Sequence, residues 1–336
     1  MKKAFALMLC AILIAALLAG CNTQKGTAGD ELKTGLAVIS STAKSKDAGE
    51  GDGAGQVDSV VVAVTVDKDN KIVNCYIDSA QTVIGFSAEG KITADPNAEI
   101  KSKQEKKEEY GMKKASGIGK EWYEQANALA EYVTGKTVDQ VKKIKVNESG
   151  YPEEADLTTS VTMNVSDYIK AIEKAANNAQ SLGAKKGDKL GLGIVTNLGK
   201  SADAGEKDGL AQAYSHYAAV TVNSEGKITS CIIDASQIGV NFDASGKITS
   251  DKNQTYETKQ ELGERYGMKS ASGIGKEWNE QADAFAKYVV GKTLSQVTGI
   301  AVNESNKATS SDLTSSVTVS IDGMIGAVEK AVSNAK

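Results

Sequence analysis

The chain is one unit written twice. Residues 35–180 and 191–336 align without a gap at an offset of 156, and 76 of the 146 paired positions are identical. A period that long lies far above the ~20–50 residues of solenoid repeats, so it marks duplication of a whole domain. Any chemistry shared by the two copies must therefore use residue types present in both. Histidine fails this requirement, because the single histidine, His216, corresponds to Val60. Serine-hydrolase triads, most zinc sites and most cysteine-protease arrangements are excluded on that ground. With 336 residues, each copy is long enough to bury an ordinary core.

The first twenty residues lie outside the repeat. Met1-Lys2-Lys3 is a positive start, and 4–17 is an apolar run too short for a stable membrane span. It ends in Leu18-Ala19-Gly20-Cys21, which resembles the lipobox of bacterial lipoproteins. That resemblance implies a signal peptide over 1–20, cleavage before Cys21 and lipidation of Cys21. The chain would then be lipid-anchored to the cell membrane on its extracytoplasmic face, where two or three acyl chains hold far better than one. Residues 21–34 read as a flexible tether. Of the remaining cysteines, Cys10 falls in the leader, and Cys75 and Cys231 occupy equivalent strand-like positions. The sequence thus holds no disulfide framework and no zinc spacing, and the two thiols read as small buried apolar groups. The net charge is −4 with Lys and Glu intermixed, and no basic stripe points to nucleic acid.

Each copy opens with a short apolar piece, 35–39 or 191–195, followed by an Asp/Gly loop at 47–53 or 203–209. That loop lacks the acidic spacing of an EF-hand and reads as a surface turn. A β-rich meander follows. Runs at 60–66 and 71–78 turn at Asp69-Asn70, and runs at 217–222 and 227–234 turn at Glu225-Gly226. A second turn falls at Glu89-Gly90 or Ser245-Gly246. The middle is helical, because Trp122, Ala126, Leu129 and Val133, like Trp278, Ala282, Phe285 and Val289, recur at helical spacing. Gly135 and Gly291 stop these helices. A closing helix carries Ile169, Ile172 and Ala176, or Ile325, Val328 and Val332, with Ser166 or Asp322 placed to cap it. Residues 181–190 read as the linker. The predicted class is α+β, two tandem copies of a mostly antiparallel sheet with packed helices.

Two stretches attract attention as sites. The longest identical block is 115–122, repeated at 271–278, a glycine-rich loop entering a helix. Helix N-termini collect anions, so Ser116, Lys120, Ser272 and Lys276 form a candidate ligand loop, although the spacing is not that of a P-loop. Helix entry and docking by the tryptophan account for most of that block.

The second stretch is Asp156-Leu157-Thr158-Thr159-Ser160-Val161-Thr162, repeated as Asp312-Leu313-Thr314-Ser315-Ser316-Val317-Thr318. It resembles the closing motif of the FMN-binding domain family, found in respiratory sodium-pump subunits and flavin-bearing lipoproteins. The family pattern is Asp-x-x-Ser/Thr-Gly-Ala-Thr, and its last threonine receives FMN through a phosphoester made by a flavin transferase. Asp156, Thr159 and Thr162 match it, as do Asp312, Ser315 and Thr318. The family's Gly is Ser160 or Ser316 here, and its Ala is Val161 or Val317. The resemblance spans most of both copies, though only this motif is specific. It implies an extracytoplasmic electron-relaying flavoprotein that works with a flavin transferase and redox partners, an electron carrier or binding protein rather than a turnover enzyme. The alternative is a flavin-free binding lipoprotein of the same fold, holding a small anion at the glycine loop.

Overall fold

The computed structural model describes residues 30–336, so the leader, Cys21 and most of the tether lie outside the described residues. Each copy is a three-stranded antiparallel sheet with helices on one face, as the sequence predicts. In copy one β1 (Lys33–Ser41) pairs with β2 (Gly53–Val66), which pairs with β3 (Ile72–Phe86). Then come α1 (Lys103–Lys106), a 3-10 turn, α2 (Trp122–Val133), α3 (Val138–Lys142), α4 (Ala155–Thr158) and α5 (Ser166–Asn177). Copy two repeats the order as β4 (Lys189–Asn197), β5 (Gly209–Val222), β6 (Ile228–Phe242), α6 (Lys259–Leu262), a 3-10 turn, α7 (Trp278–Val289), α8 (Leu294–Thr298), α9 (Ser311–Thr314) and α10 (Asp322–Ser333).

The β2–β3 turn needs a left-handed residue, and it falls on Asn70 (φ 55°) in one copy and Gly226 (φ 75°) in the other. These are the residue types that tolerate this region. The strands run longer than the sequence runs, because both β2 and β3 continue beyond the helix-covered part of the sheet. Closing helices α5 and α10 lie on the sheets, and a Cβ on Gly35 or Gly191 would run into the carbonyl of Ala175 or Ala331. Ser166 and Asp322 are not caps. Val165 and Ile321 occupy the cap positions without side-chain bonds, and Ser166 N–H is instead taken by Asn164 Oδ1 at 3.0 Å.

Strand alternation divides β2 between two cores. Val62, Val64 and Val66 join the helices around Trp122, Leu129 and Ile172, while Val61 and Ala63 face the opposite way, against Leu192, Ile194 and Tyr217 of the other copy. The two sheets thus pack face to face, and the molecule is four layers deep: helices, sheet, sheet, helices. Further along, Phe86 and Phe242 stack across the seam with centroids 4.1 Å apart and planes 2° from parallel.

The contacts between copies are reciprocal, as in a two-fold dimer. Ala48 N–H donates to Gly246 C=O, and Ala204 N–H to Gly90 C=O, both at 2.8 Å. Asp47 Oδ1 accepts from Ile248 N–H at 2.9 Å, and Asp203 Oδ1 from Ile92 N–H at 2.8 Å. Lys174 pairs with Glu261 at 2.5 Å and Lys330 with Glu105 at 2.6 Å. The Asp/Gly loops, expected as plain surface turns, are therefore clasps that grip the opposite copy.

The predicted tether and linker are also more structured than their composition implied. Leu32 and Thr34 are buried, Leu190 lies inside β4, and Ala184 is fully enclosed. Residues 30–34 bond to 180–186 through Leu32 N–H to Ala184 C=O and Thr34 N–H to Gln180 C=O, each at 2.9 Å. Cys231 is buried and Cys75 half-buried; both are free, and enclosure pushes the Cys75 thiol up to about 12. No helix among the described residues is long and apolar enough to cross a membrane.

Candidate functional site

The two stretches singled out in the sequence converge on one side chain that the sequence did not flag. Gln125 sits on the apolar stripe of α2, fully buried. A buried carboxamide must satisfy both ends. Gln125 Nε2 donates to Ser116 Oγ at 3.0 Å and Lys120 C=O at 3.3 Å. Its Oε1 accepts from Thr162 N–H at 2.8 Å and lies 3.4 Å from Thr162 Oγ1. Gln281 repeats this in copy two: Ser272 Oγ and Lys276 C=O both at 3.1 Å, Thr318 N–H at 2.8 Å and Thr318 Oγ1 at 3.3 Å. Glycine loop and hydroxyl stretch are thus two walls of one site per copy, tied by a glutamine. A polar residue kept on the apolar face of both helices was the available signal.

The hydroxyl stretch begins as the short turn α4 or α9, anchored by buried Leu157 or Leu313. Its hydroxyls bond backward to the chain, Thr159 Oγ1 to Asp156 C=O and Ser160 Oγ to Leu157 C=O, both at 3.2 Å. Asp156 and Thr159 are exposed, as are Asp312 and Ser315. Among the described residues no hydrogen bond links either pair to the closing threonine, so the motif's acid and first hydroxyl stand apart from Thr162 and Thr318. Val161 and Val317 point into the cores, 0% and 1% exposed. Ser160 and Ser316 do not have positive φ, so the backbone here makes no demand for glycine. Thr162 and Thr318 are half-buried. Their backbone N–H groups are held firmly, and the hydroxyls only by long contacts.

The glycine loop enters its helix through an acidic cap. The cap is Glu121 in α2 and Glu277 in α7. Both are buried, and Glu121 accepts Met112 N–H at 2.8 Å and Lys113 N–H at 3.0 Å. Glu277 accepts Met268 N–H at 2.8 Å and Lys269 N–H at 2.9 Å. The chain's own carboxylate thus takes two loop N–H donors in each copy and also favours the positive end of the helix dipole. Lys120 and Lys276, half-buried beside it, form no ion pair among the described residues.

Behind the loop, the tryptophans are core, 2% and 3% exposed. A lysine lies over each: Lys103 Nζ is 5.4 Å from the Trp122 ring and 4.5 Å from the Tyr110 ring. Lys259 sits deeper, its Nζ 2.9 Å from Tyr214 Oη and within 4.3–5.3 Å of the Tyr214, Tyr266 and Trp278 rings. Burial pulls its ammonium down to about 8. Burial also pushes His216 down to about 4, and its place against Tyr214 is peculiar to copy two. No group of three or more His, Cys, Asp or Glu among the described residues could hold a metal ion.

No family model and no solved structure matches this chain. A chlorophenol reductase of Desulfitobacterium hafniense is 48% identical to it over 42 residues, a stretch covering 12% of this chain and 13% of that protein.

Proposed function

We propose that this chain is a membrane-anchored, extracytoplasmic flavoprotein that relays electrons through FMN, carried on Thr162 and Thr318. The observation that supports it most is the duplicated glutamine clamp. In both copies Gln125 or Gln281 fixes the threonine backbone at 2.8 Å and leaves the hydroxyl half-exposed and weakly held. A hydroxyl that must become a phosphoester oxygen loses its proton, and a backbone-held threonine keeps its place when that happens.

The residues present fit such a group. The departures from the family motif do not crowd the hydroxyl, because Val161 and Val317 face the core and Ser160 and Ser316 need no special backbone. Lys120 or Lys276 supplies an uncommitted cation within reach of the same loop, suited to a phosphate. When bound, the isoalloxazine would supply the electron chemistry, and the protein would supply placement and surroundings. Two equal sites on one tether give two redox centres per chain. The short similarity to a reductase is too local to carry this reading.

The alternative, a flavin-free lipoprotein holding a small anion at the glycine loop, has less behind it. Glu121 and Glu277 already take two loop N–H groups each, so those donors are not open to a free anion. An absorption spectrum of protein purified from its native host tests the proposal. Flavin bands at two equivalents per chain are expected. A colourless protein, from cells that demonstrably flavinylate other substrates, would contradict it.

A further inference from the structure

A cavity of about 960 Å³ opens between the copies, bounded by β1 and the end of α5 on one side and by β6 and α7 on the other. Its walls include Val38, Ile232 and Val290, with Asp283, Gln260 and the Lys174–Glu261 pair at its polar end. This size lies near the upper end for small-molecule sites. The two-fold relation between copies calls for a like cavity 156 residues away, and there the Lys336 side chain crosses the space to Asn127. Tyr76 stands where Ile232 stands, and Lys336 where Gln180 stands.

The filled side shows what the open side lacks. Lys336 Nζ donates to Asn127 Oδ1 at 3.0 Å and lies 4.6 Å from the centre of the Tyr76 ring. Asn127 Oδ1 also accepts from Gln104 Nε2 at 3.2 Å. On the open side Gln260 Nε2 donates to Asp283 Oδ1 at 2.8 Å in the same way, but no lysine follows. Here the neutral acceptor has become a carboxylate and the chain's own cation is gone. Lys287, one turn along α7 and exposed, forms no ion pair with Asp283 among the described residues. Lys174 is committed to Glu261. Desolvation holds the Asp283 carboxyl above its usual range, against the opposing bond from Gln260. Next to it, Ile232 in place of tyrosine and Val290 in place of Thr134 make the wall apolar.

We propose that this cavity binds an aliphatic primary amine, its ammonium on Asp283 and its alkyl chain along Val38, Ile232 and Val290. The ligand would reproduce what the Lys336 side chain does in the equivalent position. The site is independent of the flavin reading, since none of its residues belongs to the glutamine clamp.

Thermal melts of the full chain against n-hexylamine and n-hexanol at neutral pH test it, because a ligand that binds only the folded chain raises the melting temperature with concentration. Hexylamine should raise it and hexanol should not. Asp283→Asn, which gives copy two the amide that Asn127 supplies in copy one, should weaken hexylamine by about tenfold or more, the loss expected for a charge-assisted bond. Ile232→Tyr, which copies the filled side, should abolish the shift. The proposal fails if hexylamine gives no shift, if hexanol matches it, or if Asp283→Asn responds like the parent chain.

Discussion

Phe86→Ala is the change that best separates two tethered domains from one four-layer body. The Phe86 ring is fully buried and stacks on Phe242 across the seam. It also covers Gly53, where a Cβ would collide with the ring. Removing it forfeits about 1.5–3 kcal/mol of side-chain burial. The lost ring–ring contact adds about 0.5–1.5 kcal/mol. With the residual cavity, the whole falls in the range of about 3–5 kcal/mol for emptying a buried aromatic site. Phe242→Ala should cost as much, and the pair together less than the sum, by about the stacking term. Urea unfolding followed by tryptophan fluorescence is the assay, since Trp122 and Trp278 place one probe in each copy. The shared core predicts a single transition, with both probes shifted by a mutation in either copy. A cost below about 1 kcal/mol, or two transitions of which only the mutated copy's moves, would refute the reasoning.

Two further outcomes follow. Cys21→Ala should release the chain from membranes or leave the precursor uncleaved; a variant that fractionates and migrates like the parent would rule out the anchor. Burial raises the carboxyls of Asp78 and Asp234 to about 7, against opposing bonds from Ser102 and Thr258 and from backbone N–H groups. An acid whose folded value is raised contributes stability below its unfolded value that is lost as pH climbs through the folded one. The parent chain should therefore lose stability relative to Asp78→Asn/Asp234→Asn between about pH 4 and pH 7; parallel urea midpoints across that window would contradict this.

The fold was legible wherever a pattern had one period. Trp122, Ala126, Leu129 and Val133 repeat at helical spacing, and α2 spans them. The sheet-on-sheet packing leaves its sign in the sequence only as a run without alternation: 60–64 is apolar at consecutive positions, as expected of a strand buried on both faces. The clasps at 47–53 and 203–209 leave no such sign. Their acids bond backbone N–H groups some 111 or 201 residues away, a pairing that no local pattern encodes. At the candidate site the threonine and the glycine loop could each be named, but not their union. That depends on Gln125, whose role exists only once α2 brings Ser116 and Thr162 to either end of one carboxamide.

The central claim is that Thr162 and Thr318 carry flavin, and a denaturing gel tests it most directly. A phosphoester survives denaturation, whereas a flavin held by contacts alone washes away. Protein from the native host should fluoresce in its own band. Thr162→Val should remove half of that signal, and Thr162→Val/Thr318→Val all of it, with the urea midpoint little changed because the backbone N–H bond to Gln125 or Gln281 remains. A dark band from cells that flavinylate other substrates, or full fluorescence in the double variant, would contradict the account.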